Sequence, residues 1–133
     1  MHDLRDLLTY TAARVADYRE AVAERPVFPS VDLEAVRAAL GSLPDGPTPA
    51  VATVEELVRI VEPALVATTG PRYFGFVIGG AIDAATAADV LTTGWDQNAF
   101  NAVTSPGAAV VEDVAGAWLK DLLGLPSSAS FGL

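Results

Sequence analysis

The first patterned segment of the chain has apolar side chains at alternating intervals of four and three residues. Over residues 3–24 these positions are Leu4, Leu8, Thr11, Val15, Tyr18 and Val22. This heptad-like spacing is typical of a helix that packs lengthwise against another helix. The pattern leaves open whether that partner is the protein's own core or a second subunit. Arg25 and Pro26 should end the helix, because a residue before proline disfavours the α conformation.

A short helix and a loop are predicted next. Ser30 is placed to cap a helix over residues 31–40, and Gly41 is placed to end it. Residues 43–50 contain three prolines and a glycine, so they are expected to form a loop.

The polar and apolar pattern then changes twice. Thr53 and Glu56 match the capping-box motif, which predicts a helix that Pro63 kinks or ends. Residues 70–80 place aromatic and aliphatic side chains between glycines. Such a segment is expected to be extended and close to other backbone or to a ligand.

Two further helices are predicted in the last third of the chain. Residues 81–95 are rich in alanine, and Ser105 followed by Pro106 is typical of a helix start. The helix that begins there should end before Gly124. Its expected buried face consists of Val110, Val111, Val114, Trp118 and Leu122. The predicted fold class is therefore mostly α, with about five helices and one extended glycine- and aromatic-rich segment.

Composition argues against several kinds of chemistry within these 133 residues. There is no cysteine, and the one histidine is His2, so thiolate chemistry is absent and a Ser-His-Asp triad or multi-histidine zinc site is not expected. The net charge of −9 argues against nucleic acid as a partner. No apolar run is long enough for a membrane span and no signal peptide is recognisable, so a cytoplasmic location without membrane contact is expected.

The remaining polar residues form no catalytic set by themselves. The glycines of residues 70–80 do not fit a phosphate-binding motif. Asp83, Asp89 and Asp96 match no metal-binding loop and are interpreted as solvated or capping residues. Lys120 is the only lysine; it could be a nucleophile, but a solvent-facing helix position is the simpler interpretation.

Several motifs, taken in order, do indicate a family. They are Arg-Pro-Val at 25–27, Gly-Pro-Arg-Tyr-Phe-Gly-Phe-Val-Ile-Gly-Gly at 70–80, Ala-Asp at 88–89, Trp-Asp-Gln-Asn at 95–98, Ser-Pro at 105–106 and Trp-Leu-Lys-Asp-Leu-Leu-Gly-Leu-Pro at 118–126. The ordered set resembles the N-terminal region of the group II pyridoxal-phosphate-dependent amino acid decarboxylases. That family includes aromatic-amino-acid, histidine and glutamate decarboxylases. The resemblance implies that the chain is part of an α/β enzyme of the aspartate-aminotransferase-like fold type I.

The resemblance also implies which parts of the chain have which role. Residues 1–50 would form an N-terminal arm and a proline-rich loop, and residues 51–133 would lead into a pyridoxal-phosphate-binding domain. The cofactor would be bound mainly outside this chain, because Lys120 does not match the family's cofactor lysine. We therefore expect no catalytic residue here and no activity of the chain alone. Its partners would be the remainder of the polypeptide and a second subunit of a homodimer.

Two groups of residues take roles from the resemblance. Those matching the amino acid substrate pocket are Phe76, Val77, Ile78, Gly79 and Phe100. Those matching the dimer interface are Leu4, Leu8, Val15, Tyr18 and Val22. Many aromatic-specific relatives carry Tyr-Phe-Pro-Thr at the pocket segment, which this chain lacks, so the substrate stays open. Two alternatives remain: a free-standing helical dimerisation or adaptor module, and a related pyridoxal-phosphate enzyme with a different reaction.

Overall fold

The computed structural model describes residues 4–97 and 101–132, and every regular element within them is a helix. The elements are α1 (Leu4–Ala21), α2 (Leu33–Leu40), α3 (Ala50–Val61), a 3₁₀ helix (Glu62–Ala64), α4 (Asp83–Trp95) and α5 (Pro106–Leu122). The predicted mostly α fold class is confirmed. The chain divides into two compact units, Met1–Gly80 and Ala81–Leu133. The functional division expected at residue 50 stays a prediction.

Helix α1 presents two different faces. Its half-buried side chains include Leu7, Thr11, Arg14 and Tyr18. The predicted apolar seam is therefore split, because Leu4 and Leu8 are 69% and 52% exposed. One side of the helix packs on its own unit, and part of the seam faces outward.

Helix α2 is capped by a different residue from the one predicted. The Asp32 carboxylate accepts a hydrogen bond from the Glu34 N–H at 2.9 Å, and Asp32 has extended backbone angles. Ser30 lies two residues too early to reach this turn, so its predicted capping role is wrong. Gly41 ends the helix as predicted, with φ of 69° and its N–H donated to the Arg37 carbonyl at 3.2 Å.

Helix α3 begins three residues before the predicted cap. Thr53 lies inside the helix, and its hydroxyl donates to the Pro49 carbonyl at 3.3 Å. The predicted capping box is therefore wrong. Pro63 changes the helix as predicted, since Glu62–Ala64 tighten into the 3₁₀ turn. Proline lacks the N–H that would continue the α-helical ladder.

The chain after α3 folds back against the residues that follow α1. The N–H of Ala67 donates to the Val27 carbonyl at 3.0 Å. A Cβ at Gly70 would lie 3.0 Å from the Val22 carbonyl oxygen, so only glycine fits this approach without displacement. Ala67 and Ile60 are the buried apolar residues of the described chain. The predicted extended form of residues 70–80 is replaced by successive turns.

The second unit is organised around the two ends of α5. Before the helix, the Asn101 side-chain oxygen accepts the N–H groups of Val103 and Thr104, both at 2.9 Å. After it, Gly124 takes φ of 65° and Leu125 donates its N–H to the Lys120 carbonyl at 2.8 Å. This is the Schellman arrangement, and it confirms the predicted helix stop.

The predicted buried face of α5 is wrong. The side chains expected in the core are exposed, from 41% at Val114 to 80% at Leu122, and Trp118 is 67% exposed. Within the described chain, the buried residue of this helix is Gly116. The described residues leave this apolar stripe uncovered.

The accessible surface is large for the length of the chain. It measures 10444 Å². Two separate compact domains with the sizes of the two units would together expose only about 8,000 Å². The units therefore leave about 2,400 Å² more surface in solvent than ordinary domains of their size would.

Candidate functional site

The predicted pocket residues of the first unit lie on an exposed turn. We call residues 70–80 the glycine-aromatic segment. In it, Phe76 and Val77 are 89% and 103% exposed, Ile78 is half exposed at 49%, and a Cβ at Gly79 would meet nothing within 4 Å. Phe100, the fifth predicted pocket residue, lies outside the described residues. The structure thus groups four of the five on one turn.

The backbone of this turn is strained. Phe76 and Val77 have φ of 56° and 51°, in the left-handed region. This region disfavours side chains with a Cβ, and most of all β-branched ones such as valine. Each such residue costs about 1–2 kcal/mol. Backbone strain of this kind is concentrated at ligand-binding and switch segments.

The base of the segment is anchored to its own unit. The Tyr73 ring lies 6.1 Å from the Phe28 ring, with a tilt of 56°. A Cβ at Gly75 would come within 2.8 Å of the Tyr73 hydroxyl, so glycine allows the chain to turn across this ring. Arg72 donates from Nη2 to the Arg25 carbonyl at 2.7 Å. A fixed base therefore supports an exposed tip.

A charged cluster holds the helices behind this base together. Arg14 Nη2 donates to both Glu62 carboxylate oxygens, at 3.1 and 2.9 Å. Arg25 donates to the same carboxylate at 3.4 Å and to the Glu62 carbonyl at 3.0 Å. The Arg25 guanidinium carbon also lies 4.7 Å from the centre of the Tyr18 ring. We call these residues the Glu62 cluster.

The Glu62 cluster further favours the charged form of Arg14, which a guanidinium holds in any case. The hydrogen bond to Glu62, followed by the negative charge of that carboxylate, raises the pKa of Arg14 against the opposing effect of burial. Sequence reasoning missed the cluster. Arg14 and Glu62 are 48 positions apart, and no spacing rule connects them.

Lys120 is only partly exposed to solvent, whereas the simpler interpretation of the sequence placed it on a solvent-facing side of the helix. The side chain is half-buried. Its ammonium donates to the carbonyls of Ser127 at 3.0 Å and Ala129 at 3.3 Å. It also lies 5.4 Å from the centre of the Phe131 ring. The predicted solvent-facing position holds only in part, because the segment after the helix returns and contacts the ammonium.

The predicted dimer-interface residues are unevenly exposed. Leu4, Leu8 and Val15 are 69%, 52% and 38% exposed, whereas Tyr18 and Val22 are half-buried in their own unit. Among the helices that the structure describes, none combines the length and apolar character needed to cross a membrane. The described residues also bring no three histidine or acidic side chains together as metal ligands.

The chain is similar to plant enzymes. Phenylacetaldehyde synthase from a Rosa hybrid cultivar is 30% identical over 118 residues, 88% of this chain and 23% of that protein. Tryptophan decarboxylase 1 from Oryza sativa subsp. japonica is 30% identical over 127 residues, 95% of this chain and 25% of that protein. The crystal structure of Oryza sativa TDC with PLP and tryptamine matches with a TM-score of 0.81 at 30% identity. That match covers 93% of this chain and 26% of the other.

The chain spans about a quarter of the length of the curated relatives it matches. No family model matches the sequence. The resemblance predicted from the ordered motifs is nevertheless confirmed by these relatives, and the described helices share the fold of the corresponding part of the solved enzyme.

Proposed function

We propose that this chain, a homologue of the N-terminal quarter of the group II pyridoxal-phosphate-dependent decarboxylases, is the dimer-forming and pocket-lining part of such an enzyme. One observation carries the proposal. The match runs through 88–95% of this chain while covering only 23–25% of each relative. This coverage supports a chain that is one part of a longer enzyme, whose active site other residues would complete.

Pyridoxal phosphate would be bound mainly by residues outside the chain. When bound, this cofactor supplies the electron sink that lets an amino acid lose its carboxylate. The residues present do not form a site for it, because Lys120 is the only lysine of the sequence and its ammonium is already held by two main-chain carbonyls. The chain's own contribution is therefore to shape the pocket and exclude water.

The glycine-aromatic segment is the proposed pocket wall. Phe76, Val77 and Ile78 present apolar surface on an anchored turn, with Gly79 next to them and Phe100 as the further member matched by sequence. An apolar wall favours the exclusion of water from the reacting carboxylate. The substrate is an amino acid whose side chain this segment helps to select.

The exposed part of the α1 seam is the proposed dimer contact. Leu4, Leu8 and Val15 would pack on a second subunit, with Tyr18 and Val22 supporting the helix from its inner face. The surface excess of about 2,400 Å² belongs to the whole chain, so a contact along α1 would cover only a part of it. The enzyme we propose is a homodimer that acts in the cytoplasm.

The test is to isolate the protein from its native cells through a tag on this chain, and to measure intact mass, bound cofactor and activity. We expect a longer or companion polypeptide, the absorbance of bound pyridoxal phosphate, and release of carbon dioxide from an amino acid. Assaying aldehyde beside amine separates decarboxylation from the reaction that the name phenylacetaldehyde synthase indicates for that relative. Recovery of the 133-residue chain alone, folded and without cofactor, would support the adaptor alternative instead.

A variant pair tests the pocket wall in the isolated enzyme. Phe76→Asp introduces a charge into the proposed wall and should lower kcat/KM by at least tenfold. Leu43→Asp is the matched control, because Leu43 is 91% exposed in the proline-rich loop. If the two variants are equally active, Phe76 does not line the pocket.

A further inference from the structure

The segment after α5 is tied back to the helix by one cation. Lys120 Nζ donates to the main-chain oxygens of Ser127 and Ala129, at 3.0 and 3.3 Å. It reaches seven and nine residues ahead, beyond the range of contacts inside one helix. The same ammonium lies 5.4 Å from the centre of the Phe131 ring, within the range of a cation–π contact. One side chain thus contacts three positions of the returning segment.

Gly116 leaves the space on α5 that the Phe131 ring occupies. The Phe131 ring lies against Gly116, and a Cβ added there would overlap three ring atoms. Gly116 is one turn before Lys120 on α5, so the ring and the ammonium share one side of the helix. The contact explains why a helix interior carries a glycine, which otherwise costs about 1 kcal/mol relative to alanine.

Main-chain hydrogen bonds set the direction of the return. Gly124 and Leu125 close the Schellman turn on the carbonyls of Asp121 and Lys120, at 3.1 and 2.8 Å. Ala129 then donates its N–H to the Pro126 carbonyl at 2.9 Å, which makes a second turn. These two turns bring the carbonyls of residues 127 and 129 to the lysine.

We propose that Lys120 is a positioning residue that clamps residues 127–131 against α5 and so determines where the chain arrives at Phe131. Its importance for an enzyme rests on the proposed function, in which the residues that follow would belong to the cofactor-binding region. If the clamp holds Phe131 at one position on α5, it also determines where the following region begins relative to that helix. The clamp itself is a property of the 133-residue chain and can be measured there.

The first experiment uses the fact that Lys120 is the only lysine. Lysine labelled with ¹³C at the ε-carbon alone gives one signal. We expect its protons upfield of their position in the urea-unfolded chain, because the adjacent Nζ lies 5.4 Å from the centre of the Phe131 ring. Phe131→Leu should abolish this shift. A wild-type signal at the unfolded position would overturn the clamp.

The second experiment measures hydrogen exchange at the Ala129 amide. Lys120→Met keeps the apolar stem but removes the donors, and should reduce protection by roughly tenfold, as expected for lost bonds to a charged group. Lys120→Arg should restore most of it, because a guanidinium can also donate to two carbonyls. Equal protection in all three proteins would overturn the clamp, whereas exchange within α5 should stay unchanged.

A glycine pair separates the clamp from helix stability. Gly116→Ala favours the helix but displaces Phe131, so the lysine signal should move to its unfolded position while α5 persists. Gly107→Ala is the control in the same helix, because a Cβ there meets nothing within 4 Å. Gly116→Ala leaving the lysine signal in place would contradict the proposed role of Gly116. None of these readouts requires cofactor or activity, so they can fail or succeed independently of the proposed function.

Discussion

Val77 combines full exposure with a left-handed backbone, so its side chain gains nothing from burial while its conformation costs free energy. It is 103% exposed with φ of 51°. Phe76, which precedes it, is also exposed and also has a left-handed backbone. A strained pair on an exposed turn persists only where the neighbouring structure holds the chain in place. The anchored Tyr73 and Arg72 hold the chain on one side of this turn.

Replacing Val77 by glycine should therefore stabilise the protein. Relief of about 1–2 kcal/mol of strain exceeds the added backbone entropy of glycine, about 0.5–1 kcal/mol. We expect the free energy of unfolding, measured with urea, to rise by about 0.5–1 kcal/mol.

Val103→Gly provides the comparison for this substitution. Val103 is 92% exposed in a loop, and it is not among the residues with positive φ. Its replacement should destabilise by about 0.5–1 kcal/mol, since only the entropy effect remains. Changes of the same sign in both variants would show that Val77 is not strained in solution.

At the scale of the elements, the helix ends depend on local hydrogen bonds that sequence patterns locate only within a few residues. The N-cap of α2 is the clearest case, because Ser30 and Asp32 are both suitable residue types two positions apart. The structure selects Asp32, whose carboxylate receives the Glu34 N–H.

Removing the two candidate caps separately tests this assignment. Asp32→Ala should reduce the stability of α2 by about 1 kcal/mol, the usual value of an N-cap. Ser30→Ala should change it by less than about 0.5 kcal/mol. Hydrogen exchange of the α2 amides measures both effects, and a larger loss for Ser30→Ala would reverse the assignment.

The sequence predicted the elements well where the signal is local. Gly41, Pro63 and Gly124 each ended a helix at the expected place, because φ preference and a missing N–H act on the residue itself. The capping motif at Thr53 failed because proline-rich loops can enter a helix without a side-chain cap, as Pro49 does here.

The candidate site was predictable only in part. The adjacency of Phe76 to Gly79 follows from their neighbouring positions, and the structure adds the left-handed turn. The Glu62 cluster and the contacts of Lys120 join residues distant in sequence, and no periodicity encodes them. Trp118 shows the opposite failure: its apolar character was clear, but the residues that would cover it could not be identified from the pattern.

For the whole molecule, the surface area predicts unusual unfolding behaviour. The dependence of the unfolding free energy on denaturant, the m-value, scales with the surface that unfolding exposes. Because much apolar surface is already exposed, the isolated chain should have a urea m-value of about 1 kcal/mol/M, the lower end of the usual range.

Assembly supplies the control for this prediction. If the chain is part of a larger enzyme, as proposed, the m-value per residue should be higher there than in the isolated chain, because surface covered in the assembly also has to be exposed on unfolding. A high m-value for the isolated chain would contradict the proposal that its apolar faces are covered by other residues.

The Glu62 cluster also has a consequence for the time course of biosynthesis. Arg14 leaves the ribosome 48 residues before its partner Glu62. At 5–20 residues per second this interval lasts roughly two to ten seconds. During it, Leu7 of the nascent α1, half-buried in the folded chain, has nothing to pack against, and Arg14 cannot pair with Glu62. We therefore expect chaperones that recognise apolar nascent segments to bind α1 during this interval.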